Sequence, residues 1–336
     1  MQRRIPRLLV LSLAAAVYAA GLSACGPIPA DTHFILTFGF GEDELFRMED
    51  GVCRVADYRI CLSDLRLAYE QVFGSALWEM ETDGKTMELR LREEALAEVA
   101  RLGLTGSLAA ANGVVLSDRE EALAQRLGTA YYEALSPEER EQLGNITAEE
   151  AMACARELIL ADVLYRYLIR DVNPEISDDE ARRITVEQIR VTDRARAVAL
   201  QQELAEGRSF EELMLTEAGD GTGTFSFGQG EREESITEVA FALNTGQVSG
   251  IIETADGYCL LKCVSTFNRA ETDANKIRIV EIRRREAYEA KYETFAATQT
   301  IVRNEALWER LCAEDSPAPA TVSLSEMVRA ALEELQ

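Results

Sequence analysis

Between Leu45 and Ala56, apolar and polar residues alternate around an Asp50-Gly51 pair, which predicts a β-hairpin. From Ser63 the period lengthens to that of a helix, with Leu65, Ala68, Tyr69, Val72 and Phe73 on one face. Further helices are predicted over about 86–111, 118–134 and 148–170. Three starts are marked by capping boxes: Ser117-x-x-Glu120, Ser136-Pro137-x-Glu139 and Thr147-x-x-Glu150. In each, the Ser or Thr oxygen can satisfy a free amide of the first turn while the glutamate reaches back, and Pro137 suits the first helical position. The helix after Thr147 carries Met152, Ala155, Leu158, Ile159, Val163, Tyr167 and Leu168, a face broad enough to require packing partners.

The run Asp171-Val-Asn-Pro174-Glu-Ile-Ser177 breaks this pattern and marks a boundary. Shorter elements follow. Ile184 to Val191 predicts a strand, Asp193 to Glu206 a helix ending at Gly207, and Ser209-Phe210 the start of another helix. A glycine-rich loop spans Gly219 to Gly230, Ile236 to Leu243 is helical, and Val248 to Glu253 and Tyr258 to Val264 are strands. From Thr272 to Cys312 the spacing of Ile277, Val280, Tyr288, Tyr292, Phe295, Ile301, Leu307 and Trp308 predicts one long helix. A proline-bearing loop at 316–320 precedes a last amphipathic helix, Ser323 to Leu335. The fold class expected is α+β, with helices on both sides of a compact α/β insert.

The chain has 336 residues, 47% hydrophobic, enough for one large or two to three small cores. Its formal charge is −24, a surface that repels phosphate backbones, so nucleic-acid partners are excluded. The sole histidine, His33, leaves no Ser-His-Asp triad and no His-based metal site, and neither metal nor cofactor is expected.

The first 24 residues carry Arg3, Arg4 and Arg7 and no acid. Leu8 to Ala20 is apolar but short for a membrane span, which takes roughly 20 residues. Leu22-Ser23-Ala24-Cys25 follows, and this order resembles a bacterial lipoprotein signal. The resemblance implies a signal peptide over 1–24, lipidation of Cys25, a tether over 25–44 and an extracytoplasmic protein anchored to the membrane through its lipid. Acyl burial at about 0.8 kcal/mol per methylene makes two or three chains a stable anchor. Of the other cysteines, Cys53 and Cys61 flank the hairpin and could pair, while Cys259 and Cys263 lie on one strand roughly 13 Å apart, too far to bridge.

The segment Phe241-Ala-Leu243-Asn-Thr-Gly246-Gln-Val-Ser249-Gly250-Ile-Ile-Glu-Thr254-Ala-Asp-Gly257-Tyr258-Cys259-Leu-Leu-Lys262 resembles the C-terminal half of a parvulin-type peptidyl-prolyl isomerase domain. Gly207-Arg-Ser-Phe210-Glu-Glu-Leu213 resembles an earlier stretch of the same domain. Helices, an inserted module and closing helices together resemble the PrsA/SurA-type extracytoplasmic foldases, and Tyr69-x-x-Val72-Phe73-Gly74-x-x-Leu77-Trp78 resembles their clostridial lipoprotein branch. The division this implies is a helical chaperone-like region at 45–176, a parvulin-like domain at 177–268, a long helix at 269–314 completing the chaperone lobe, and a tail at 315–336. The expected partners are unfolded or proline-containing exported polypeptides, with a homodimer left open. The alternative is a non-catalytic lipoprotein scaffold or assembly subunit serving one cell-surface partner.

The same resemblance assigns the site. Gln188 and Cys259 stand where such domains carry a facing pair of histidines, and Asp220 stands at an active-site aspartate. Phe225, Phe227 and Ile236 fall at the apolar prolyl pocket, and Arg232 replaces a pocket methionine. The expectation is an isomerase fold with weak or lost catalysis.

Overall fold

The computed structural model describes residues 39–49, 51–217, 219–314 and 318–335. The signal segment, Cys25 and most of the tether lie outside the described residues. The fold class is α+β, and the chain divides into two compact units. One holds residues up to Asp171 together with Arg285 onward, and the other runs from Val172 to Arg284. No helix among the described residues is long and apolar enough to cross a membrane.

The first unit begins with the expected hairpin, β1 (Glu44–Met48) and β2 (Gly51–Arg54), in the register Phe46↔Cys53 and Met48↔Gly51. Helix α1 (Val55–Phe73) starts eight residues before Ser63, because the Asp57 carboxylate accepts the Arg54 amide at 3.0 Å and closes the first turn. A small hairpin, β3 (Glu81–Thr82) and β4 (Lys85–Thr86), leads into α2 (Met87–Ala111). Helices α3 (Asp118–Ala134), α4 (Pro137–Gln142) and α5 (Ala148–Ile169) each begin at a predicted capping box. In the third, the Thr147 amide donates to Glu150 at 2.7 Å and Thr147 Oγ1 accepts the Glu150 amide at 3.2 Å.

Their shared core includes Leu45, Phe46, Tyr58, Leu91, Val99, Tyr131, Ala155, Ile159 and Leu164. Gly128 lets α3 approach α5 closely: a Cβ there would lie 2.4 Å from the Met152 Cα. Cys53 is buried on β2 with its thiol donating to the Val99 carbonyl at 3.1 Å, and Cys61 is in α1, so the two do not pair.

The second unit starts with α6 (Asp178–Ala181) and is built on an antiparallel sheet ordered β6-β5-β8-β7. Its strands are β5 (Arg183–Val191), β6 (Gly223–Gly228), β7 (Ile252–Thr254) and β8 (Gly257–Ser265). Strict alternation along β5 and β8 sends residues to opposite faces. Ile189 and Leu260 pack against Leu200 of α7 (Arg194–Ala205) and against Phe210 and Leu213 of α8 (Phe210–Thr216). Ile184, Val186, Cys259, Leu261 and Cys263 form the other core, with Phe227 and with Ile236 and Ala240 of α9 (Glu234–Ala242).

After β8 comes α10 (Arg269–Ala296), which crosses the unit boundary. In the second unit, Asn275 donates to the Ala181 carbonyl at 2.9 Å and Val280 packs with Ile176 and Ala181. In the first, Tyr288 and Tyr292 are buried among the α1–α5 helices, and Arg101 pairs with Glu289 at 2.7 Å.

The single helix predicted over 272–312 is interrupted. After Ala296 the β-branched residues Thr298, Thr300, Ile301 and Val302 lead to β9 (Val302–Arg303), which pairs with β1, and α11 (Glu305–Ala313) restarts behind an Asn304 cap. The pairing Phe46↔Arg303 supplies hydrogen bonds that a continuous helix would forfeit at the sheet edge. Finally, α12 (Leu324–Glu333) buries Leu324 and Val328 in the same core.

Candidate functional site

The sheet face under α9 carries the candidate site. In β5, Gln188 and Arg190 are two residues apart and share a face. Across the ladder, Gln188 is opposite Leu261 and Arg190 is opposite Cys259, so all four project to that face. Helix α9 covers one end of it through Ile236 and Ala240. The uncovered end is a cleft of about 390 Å³.

Gln188 and Cys259 line this cleft together, with Phe225 and Ile236 as apolar lining and Arg190 and Arg232 as its cations. Phe227 lies behind this surface: it is 2% exposed, sits in the core beneath α9, and its ring meets that of Phe241 at 6.3 Å between centroids. Asp220 is exposed and does not line the cleft, while its neighbour Gly221 does.

Gln188 is buried at 4% exposure, and its Nε2 donates to the Gly221 carbonyl at 2.6 Å. The amide therefore pins the loop before β6 to the central strand. Gly221 has a φ of +83°, and a Cβ there would fall 2.6 Å from the Arg190 Cδ, so only glycine lets the loop lie this close. Thr222 adds a second tie by accepting the Arg190 amide at 3.1 Å.

Cys259 is fully buried, and burial pushes its thiol up to about 11, with the Glu233 carboxylate adding to the shift and Arg190 opposing it. At neutral pH it is an uncharged thiol, not a nucleophilic thiolate.

The charges around the cleft are mostly engaged. Arg190 pairs with Asp256 at 2.7 Å. Glu231 is shared by Arg183 at 2.7 Å and by Arg278, which holds its carboxyl below the usual range despite burial working the other way. Glu233 accepts the Ala255 amide at 3.1 Å. The Arg232 guanidinium lies over the Phe225 ring at 4.7 Å from its centroid and 5.7 Å from that of Phe227.

Sequence reasoning did not single out Arg190, Glu231, Glu233 or Thr254, all of which line the cleft. The signal for Arg190 was its place two residues after Gln188 on a predicted strand, hence on the same face. Glu233 and Thr254 had no local signal, because chain folding across the β7–β8 turn brings them in.

The second unit is thus a four-stranded antiparallel sheet with helices on both faces and an open end lined by Gln188, Cys259, Phe225 and Ile236. Residues 174–265 match the family model described as the rotamase, PPIC-type PPIase domain, so the second unit is similar to a peptidyl-prolyl isomerase domain. No curated protein sequence matches the chain. Among solved structures, the chain is similar to the peptidylprolyl isomerase PrsA of Bacillus anthracis at 17% identity, over 59% of this chain and 96% of that one, with a TM-score of 0.33. It is similar to PrsA of Bacillus subtilis at 19% identity, over 65% and 90% of the two chains, with a TM-score of 0.26. The parvulin NmPin of Nitrosopumilus maritimus aligns at 26% identity over 24% of this chain and 95% of its own, with a TM-score of 0.22.

Proposed function

We propose that this protein is an extracytoplasmic folding factor anchored through lipidated Cys25, whose second unit binds prolyl segments of exported chains with weak isomerase activity. The observation that carries the reading is the cleft shared by Gln188, Cys259, Phe225 and Ile236 within a segment matching the PPIC-type domain. Localisation and anchoring rest on the basic, apolar leader and the Leu22-Ser23-Ala24-Cys25 box.

Isomerisation needs no nucleophile. The barrier of about 18–20 kcal/mol comes from partial double-bond character in the peptide C–N bond. A prolyl amide twisted out of plane loses charge separation, so an apolar surface favours the twisted state over the planar one. Phe225 and Ile236 supply such a surface. The neutral Cys259 thiol adds no charge, which suits this role.

Weak turnover follows from what Gln188 does. Its Nε2 is committed to the Gly221 carbonyl, and the cleft contains no imidazole to hydrogen-bond around the bound amide. The Arg232 guanidinium also occupies the Phe225 face that a pyrrolidine ring would use. Asp220, on the rim, would act on the bound peptide only if the loop after α8 shifts inward.

The test is isomerisation of a proline tetrapeptide by the full-length protein, followed by exchange NMR. The expected result is slow but measurable catalysis, raised in a Gln188→His, Cys259→His double variant and lowered in Asp220→Ala. Absence of binding by any proline peptide would sink the reading, and rates equal to a histidine-bearing parvulin would overturn the weak-site part of it.

A further inference from the structure

The charges lining the cleft are satisfied within the protein, with one exception. Arg190 has Asp256, Glu231 has Arg183 and Arg278, and Glu233 has the Ala255 amide. Arg232 is exposed, and among the described residues its guanidinium makes no ion pair; its backbone carbonyl is used, accepting Thr237 Oγ1 at 3.2 Å. A guanidinium lying over a ring uses its face for that contact and leaves its in-plane N–H donors free. Those donors form a fork that matches a carboxylate. The chain as a whole carries a charge of −24, so a guanidinium without an ion pair at the mouth of the cleft stands against the field of the whole surface, although Glu231 and Glu233 line the same cleft.

We infer that Arg232 is a specificity-determining residue, and that the cleft prefers prolyl segments carrying an aspartate or glutamate side chain beside the proline. The inference rests on the prolyl reading of the cleft and names the substrate class it takes. The geometry gives two linked consequences. An acidic side chain engages the guanidinium edge while the prolyl ring rests on Ile236 and the free part of Phe225. A neutral segment gains nothing from the edge and must compete with the guanidinium for the ring face. Arg232 therefore both recruits acidic segments and disfavours neutral ones, which is how a site discriminates by attraction and exclusion together.

The experiment uses the full-length protein and three peptides, Ala-Glu-Pro-Phe, Ala-Gln-Pro-Phe and Ala-Lys-Pro-Phe, with binding followed by NMR titration at low and high salt. The wild type should bind the Glu peptide about three- to fivefold more tightly than the Gln peptide, the range of a solvent-exposed ion pair. That advantage should shrink as salt screens it. Arg232→Met should lose the Glu advantage and bind the Gln peptide more tightly than the wild type does, because the Phe225 face is uncovered. Arg232→Lys, which keeps the charge without the planar fork, should fall between them. Melting curves of the variants show that each is folded. If the wild type binds all three peptides equally, or if Arg232→Met changes all three by the same factor, the inference is overturned while the prolyl reading stands. If no proline peptide binds, the prolyl reading fails first and the inference with it.

Discussion

The Gln188 side chain donates to the Gly221 carbonyl at 2.6 Å, joining the central strand of the second unit to the loop that carries Asp220. A cleft-lining amide thus acts as a structural tie. Gln188→Leu should leave the half-buried Gly221 carbonyl without this donor and cost about 1 kcal/mol. Denaturant unfolding reads this cost. Hydrogen exchange should rise first at the amides of residues 219–224. A variant as stable as the wild type, with unchanged exchange there, would show that the tie carries no stability.

Asp64 makes the first unit sensitive to pH. Its carboxylate accepts the Leu324 amide at 3.2 Å and the Ser325 amide at 2.8 Å at the start of α12. Burial raises it from 3.8 to about 6, against those hydrogen bonds. A folded-state value above the unfolded one means the native state keeps the proton longer. Asp64's contribution is therefore complete below pH 3.8 and is lost as pH rises through 6. That difference corresponds to about 3 kcal/mol. Stability at pH 4.5 relative to pH 7.5 should accordingly be greater in the wild type than in Asp64→Asn. Identical pH profiles for the two proteins would contradict this.

Gly128 should resist even alanine. Alanine in a helix interior is favoured over glycine by about 1 kcal/mol, so propensity alone predicts a gain. The added Cβ would sit 2.4 Å from the Met152 Cα, and a backbone atom of α5 cannot rotate aside. Overpacking of this kind costs about 1–3 kcal/mol, so the expected net effect is a loss. A higher melting temperature for Gly128→Ala would mean that α3 and α5 separate without penalty.

The closing segment should stabilise the first unit. Tyr292 is 3% exposed, stacks near Tyr288 with centroids 6.2 Å apart, and carries the Arg101 guanidinium 4.2 Å over its ring. Tyr292→Ala is expected to cost about 3–5 kcal/mol, as for other buried aromatics. Unchanged unfolding of the first unit would refute the role of α10 in its core.

Cys25→Ala should release the protein from the membrane fraction, and mass spectrometry of the mature wild type should find lipid on Cys25. A Cys25→Ala protein that remains membrane-bound would remove the anchor from the proposed function.

Much of the helical architecture was legible locally. The boxes at Ser117, Ser136 and Thr147 mark helix starts because each cap is made by residues three apart in sequence. Helix α1 begins early, at Val55, within the segment read as the second hairpin strand, through the local Arg54–Asp57 contact. The other failure was non-local. The predicted helix 272–312 breaks because β9 pairs with β1, some 250 residues earlier in the chain, and no window of sequence contains that partner.

The candidate site divides in the same way. Sequence alone determined the residue types available to it: Gln188, Cys259 and the aromatic pair Phe225 and Phe227, in a chain of formal charge −24. Alternation along β5 and β8 also determined which of those residues could share a face. Only the tertiary structure decided which of them reach the cleft. Cross-strand register sets Arg190 opposite Cys259, α9 covers Phe227 while leaving Phe225 open, and the Gly221 turn leaves Asp220 exposed outside the lining. Strand pairing and helix packing are cooperative over the whole unit, so the position of each side chain depends on contacts that no local pattern encodes.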